Sequence, residues 1–114
     1  MKNTINIVNL TPHAVNFISD DGNIIKTIEP SGAVARVSAK TETIGEIDGL
    51  PVTTSVYGEV TGLPEPEEGK VYVVSSLVAG RTTNRNDVFV PNEPVRDEKG
   101  RIVGCRSLGW LGRV

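Results

Sequence analysis

Nowhere in this chain does an apolar repeat of 3.6 residues persist for about ten residues, the minimum for a helix with a buried stripe. What recurs is a short β-branched run cut off by a turn signal. Thr4–Leu10 reads as a strand ending at Thr11-Pro12, and Ala14–Ser19 as a second. Asp20-Asp21-Gly22-Asn23 reads as a hairpin turn into a third, Ile24–Ile28; it lacks the spaced ligands of a calcium loop. After a turn at Glu29-Pro30-Ser31-Gly32, Ala33–Ala39 alternates as a strand does. Glu42–Ile47 and Pro51–Val60 flank Asp48-Gly49, a strong signal for a tight hairpin. The segment Gly62–Gly69 holds two prolines and a run of glutamates and predicts a loop inside one domain.

Lys70–Ser75 carries the unbroken apolar run Val71-Tyr72-Val73-Val74, which predicts a strand buried on both faces. Ser76–Gly80 fits one helical turn, with Ser75 or Ser76 as N-cap and Gly80 as C-cap. Asp87–Val90 reads as a strand stopped by Pro91, and Val95 and Ile102–Ser107 as a last hairpin around Asp97-Glu98-Lys99-Gly100. The tail Gly109–Val114 either packs or hangs free. About eight or nine short strands predict a mainly β fold, a compact antiparallel β-sandwich or small β-barrel with at most one or two short helical turns. Closure into a barrel would shield the valine-rich edges from other chains. The length, 114 residues, predicts a single domain over 1–114.

Charge is unevenly placed. Six of the seven arginines (Arg81, Arg85, Arg96, Arg101, Arg106 and Arg113) fall in the last 34 residues. Residues 1–79 carry five Lys/Arg against ten Asp/Glu, and residues 80–114 carry seven against four. A net charge of −2 and a pI near 5.4 argue against a general nucleic-acid coat protein. A guanidinium-rich half can still serve a small anion, because the planar fork matches phosphate and carboxylate. The alternative is a solvated face whose arginines pair with acidic residues of the first half. The lone Cys105 suits a reducing compartment, the start MKNTINIVNL lacks a signal peptide's apolar run, and no apolar stretch is long enough to span a bilayer. These features predict a cytoplasmic protein with no membrane partner.

The segment Ser75–Asp87 is the foremost site candidate, since it places Arg81, Thr83, Asn84, Arg85, Asn86 and Asp87 in one loop after the most buried strand. The alternative is that Arg85 and Asp87 order the loop as a local ion pair. Arg96 extends the cationic set, and Tyr57, in the polar run around Ser55–Glu59, is the aromatic best placed to stack a base. Trp110 is the other aromatic candidate, with an oligomer contact as its competing role. His13 is the sole histidine, and no nucleophile-elbow sequence accompanies it. One His and one Cys cannot build a structural zinc site, so neither metal nor cofactor is expected. No P-loop or dinucleotide fingerprint occurs. Cys105 is expected to be a buried, unreactive thiol.

Four stretches together carry a resemblance: Asn9-Leu10-Thr11-Pro12-His13; Gly62-Leu63-Pro64 leading to Val71-Tyr72-Val73-Val74-Ser75; Arg85-Asn86-Asp87-Val88; and Val95-Arg96-Asp97-Glu98-Lys99-Gly100-Arg101-Ile102-Val103-Gly104-Cys105. Across most of its length the chain resembles small proteins encoded by bacteriophage and prophage genomes. The resemblance implies a context, the interior of a bacterial host cell, and carries no activity of its own. Small phage proteins of this size often act as virion accessories or as host-takeover factors, among them anti-defence sponges that sequester signalling nucleotides. The leading expectation is non-enzymatic binding of a small anionic, nucleotide-derived ligand through the arginine-rich half, with self-association into a homo-oligomer. The alternatives are a virion or assembly accessory that self-associates through sheet edges and tail, and a small hydrolase using His13.

Overall fold

The computed structural model describes residues 5–112; Thr4, at the start of the first expected strand, and Arg113 and Val114 of the tail lie outside them. Eight strands and one helical turn follow in the order β1 (Asn6–Asn9), β2 (Val15–Ile18), β3 (Ile24–Ile28), β4 (Arg36–Ile47), β5 (Leu50–Thr61), β6 (Lys70–Val73), α1 (Ser76–Gly80), β7 (Val88–Arg96) and β8 (Ile102–Gly109). The fold is mainly β, as the sequence predicts. Six strands form one sheet in the order β1-β6-β7-β8-β2-β3, and β4 and β5 form a separate two-stranded ribbon.

Pairing in the large sheet is mixed rather than wholly antiparallel. β1 runs parallel to β6, β6 to β7 and β2 to β8, while β7–β8 and β2–β3 are antiparallel. The link from β6 through α1 to β7 is a parallel crossover, for which one helical turn suffices because the paired segments are only two residues long. Ser75 caps α1 by accepting from the Val78 N–H, and Arg81, not Gly80, is the C-cap residue. Among the described residues no closed barrel forms. Among these residues the edge strands β1 and β3 share no ladder and are linked at one end, by the isolated bridge between Asn9 and Pro30 and the Asn9 side chain's bond to the Ile28 carbonyl.

β6 is the spine of the core. Tyr72 and Val74 face a cluster with Leu10, Ala35, Val78, Ala79, Val88 and Val90. Val73 faces the other way, against Val15 and Cys105, with Ile7, Phe17 and Leu108 half-buried around them. The second cluster is much the smaller. Gly104 lets β8 lie close to β2, since a Cβ there would sit 2.7 Å from the Asn16 carbonyl oxygen. β7 continues through Pro91 and Pro94 instead of stopping. Beyond Phe89 it pairs on one side only, with β8, so the missing N–H groups fall on an edge.

The ribbon is the departure from compactness. The segments 33–39 and 42–47, expected as two strands, merge from Arg36 onward into the 12-residue β4, with residues 33–35 outside it, and β4 pairs with the 12-residue β5 around Asp48-Gly49. Both turn residues take positive φ (53° and 78°), the geometry of a two-residue hairpin turn. Strands of this length reach about 40 Å. Only Val37, Val52 and Val60 of the ribbon are even half-buried. The molecule measures 62 × 39 × 31 Å with a radius of gyration of 17.3 Å, against about 13 Å for a compact domain of this length.

Asn9 ties the sheet's loose edges together. Its side chain is 1% exposed. Nδ2 donates to the carbonyls of His13 (2.8 Å) and Ile28 (3.0 Å), while Oδ1 accepts from the Thr11 N–H (2.9 Å) and hydroxyl (2.7 Å). Asn9→Asp keeps the shape but turns a carboxylate oxygen toward two carbonyls. It is expected to destabilise the fold by about 2–4 kcal/mol at pH 7. Protonation restores a donor, so the folded-state carboxyl pKa is raised and part of the stability returns below about pH 4. Chemical denaturation at pH 7 and pH 3.5 reads both effects, and an Asp variant as stable as the parent at pH 7 contradicts this role.

Candidate functional site

The arginine-rich loop is built by the crossover. α1 ends at Gly80, Thr82 donates its hydroxyl to the Val78 and Ala79 carbonyls (3.0 and 3.3 Å), and the chain then turns back to start β7. Arg81, Thr83, Asn84, Arg85, Asn86 and Asp87 are therefore neighbours, as expected. Their guanidinium groups are already occupied. Arg85 grips Asp87 bidentately, Nε to Oδ1 and Nη2 to Oδ2, both at 2.8 Å. The pair is nearly buried, at 15% and 12% side-chain exposure. The Arg85 hydrogen bond holds the Asp87 carboxyl below its ordinary range against the opposing effect of burial, and Asp87 in turn raises Arg85. Trp110 donates its indole N–H to the Arg85 carbonyl (2.9 Å), which ties the start of the tail to this loop while the ring stays partly exposed.

Arg81 reaches across to the ribbon and donates to the carbonyls of Tyr57 (3.5 Å) and Gly58 (3.3 Å). Tyr57 is thus brought beside the loop, with its side chain 40% exposed. An open cleft of about 550 Å³ lies between ribbon and loop, lined by Gly58, Glu59, Val60, Arg81 and Thr82. Thr83, Asn84 and Asn86 are exposed. Arg96 is not part of this cluster. It stands eight residues along β7 from Val88, roughly 25 Å away at strand rise, and donates to the Gly100 carbonyl (2.7 Å).

The other arginines behave alike. Arg101 pairs with Asp97 (2.9 Å) inside the β7–β8 turn, where the backbone N–H groups of Lys99 and Arg101 also hold that carboxylate. Arg106 pairs with Asp20 (3.1 Å), the single pair among these that joins the cationic half of the chain to the acidic half. Each described arginine of the last 34 residues therefore has an intramolecular partner.

His13 lies in the exposed loop after β1, and the fold uses its backbone carbonyl as an acceptor for Asn9 and Thr11. Among the described residues no hydrogen bond involves its imidazole, and no group of three or more His, Cys, Asp and Glu side chains gathers as metal ligands. His13 and the 81–87 loop sit at opposite ends of the short parallel strands, His13 beyond the C-terminal end of β1 and the loop ahead of β7. Cys105 is 3% exposed, and burial pushes its thiol pKa up.

The feature that sequence reasoning missed is the ribbon's surface. Along β5, Leu50, Val52, Thr54 and Val56 share one face, with Ile47 opposite Leu50, while Pro51, Thr53, Ser55 and Tyr57 share the other. That first face is apolar at its outer end, where Ile47 and Leu50 are each 67% exposed, and carries Glu42 opposite Thr54 and Lys40 opposite Val56 further in. Ile44, 65% exposed, sits at a register shift of β4. Residues 41–61 contain Glu42, Glu46, Asp48 and Glu59 and no Lys or Arg. Among the described residues no helix is long and apolar enough to cross a membrane. Comparison with known proteins finds no matching family model, curated protein or solved structure.

Arg85→Ala leaves the Asp87 carboxylate unpaired and is expected to lower stability by about 1–3 kcal/mol, with Arg85→Lys recovering part of the loss. Because the Asp87 pKa is lowered from 3.8, the pair contributes fully above that value and fades as pH falls through the lower, folded-state pKa. Thermal melts from pH 7 to pH 2 should show parent and Arg85→Ala converging below about pH 4; a constant gap would contradict the ion-pair account.

Proposed function

We propose that this chain is a non-catalytic assembly protein that self-associates through the β4–β5 arm. The observation that carries the reading is the arm's unpartnered apolar face. A two-stranded ribbon alone in water is marginally stable, and the exposed pair Ile47 and Leu50, with Val52 beside them on the same face, adds a surface that a monomer has no use for. The arm's edges are guarded: register shifts interrupt both strands and Pro51 removes a donor. These are the usual devices against edge-to-edge pairing. The contact is therefore made by the face, not by the sheet edges or the tail. The resemblance to small phage proteins makes assembly of a virion component the matching context.

A second reading keeps the small-anion ligand. It rests on the cleft of about 550 Å³ beside Arg81. Glu59 in the same wall opposes an anion, and Arg85 would have to leave Asp87 to take part. Calorimetry against cyclic nucleotides and nucleotide sugars separates the readings: heat of binding that Arg81→Ala abolishes favours the ligand.

The assembly reading is tested by sedimentation velocity. At about 100 µM, where interactions stronger than roughly −5.5 kcal/mol are seen, the parent should sediment as a species heavier than 12.2 kDa. The double variant Ile47→Lys/Leu50→Lys, changed only at exposed positions, should sediment as a folded monomer whose melting temperature matches the parent's only at concentrations where the parent is dissociated. A monomeric parent refutes the reading.

A further inference from the structure

The geometry points to a specific receptor for the arm: we propose that its tip plugs an apolar groove on a second copy of the chain, where the core is incomplete. This rests on the reading of the arm as the self-association element.

The groove lies over the smaller core cluster. Val15, Val73 and Cys105 are buried there, but Ile7, Phe17 and Leu108 remain half-buried and form the walls of an open depression of about 310 Å³. Ile25, 67% exposed, forms a further wall. The depression exists because the sheet fails to close: β1 and β3 separate away from the Asn9–Pro30 bridge and leave the cluster uncovered on that side. An aliphatic side chain from outside would complete it, and the arm tip offers two in Ile47 and Leu50.

Charge selects this groove over the other apolar cleft. Lys26 and Arg106 stand on its rim. Asp48 lies in the turn at the tip and Glu42, opposite Thr54, shares the face of Leu50, while the arm's cations, Arg36 and Lys40, lie toward its root. The cleft at Val15, Pro91, Ile102 and Cys105 has a similar volume, about 320 Å³, but no charged residue in its lining. Arg106 is not firmly held at home, because its partner Asp20 is fully exposed, and an exposed pair of this kind exchanges readily.

The arm's ladder runs about 40 Å, its tip residues Ile47 and Leu50 are exposed and none of its residues lines the groove of its own chain, so the occupant comes from another molecule. Tip and groove are different surfaces, so each contact is head-to-tail. Two copies that exchange arms close as a dimer, and copies that pass arms onward make a ring or filament.

The test uses the tip variant Ile47→Lys/Leu50→Lys and a groove variant Lys26→Glu/Arg106→Glu, with exposed changes in both. Sedimentation velocity is run on each alone and on the two mixed. Each alone should be monomeric. The mixture should form a 1:1 heterodimer, since one chain keeps an intact groove and the other an intact tip. If the groove variant self-associates as the parent does while the tip variant does not, the arm has another receptor: this inference fails and the assembly reading stands. Two monomeric variants that form no heterodimer also overturn it. A monomeric parent fails both.

Discussion

One buried amide decides how this sheet is finished. Asn9 ends β1, and its four side-chain hydrogen bonds reach the turn after it and the end of β3. In low dielectric each of these groups would be costly to leave unmade, so the node holds the two sheet edges at one point and at a fixed distance. The Ser31 N–H donates to the Asn9 carbonyl (2.9 Å), and the Ala35 N–H to the Leu10 carbonyl (3.0 Å). The chain leaving this node is thereby aimed into β4. The same node thus sets the partial closure, the open groove beyond it and the direction of the arm.

The arginine-rich half looks different once its partners are known. Guanidinium groups clustered in sequence suggest a clamp for an external anion, but Arg85, Arg96 and Arg101 each organise a turn of their own chain. Arg81 anchors the arm's root. That leaves Arg106, with Lys26 contributed from the acidic half, as the cations facing an apolar surface. In the proposed assembly these cations would meet the outer arm, where residues 41–61 carry Glu42, Glu46, Asp48 and Glu59 and no Lys or Arg.

What could be read from the sequence was local. β3, α1, the Asp48-Gly49 turn and the two-faced burial of β6 follow from periods and turn residues that act within a few positions. The middle of β4 did not, because alternation marks a strand only where one face is buried, and Lys40-Thr41 is exposed on both. Pro91 reads as a stop in a central strand but is tolerated on an edge, and whether β7 is an edge depends on pairing with β6 and β8 far away in the chain. The parallel pairings are non-local for the same reason. Of the candidate site, the clustering of residues 81–87 was legible, whereas the separation of Arg96 and His13 from it required the topology. Asn9 was visible only as part of a familiar stretch; nothing in a single sequence distinguishes a buried Asn from a turn Asn.

Hydrogen exchange followed against protein concentration bears most directly on the claim that the arm's apolar face is covered by another copy. Between about 1 µM and 100 µM, a span that brackets weak self-association, amides of residues 41–58 should become slower to exchange, together with those of β3 at the groove. Amides of β6, buried in every state, should not change. Exchange in the arm that is independent of concentration would contradict the account.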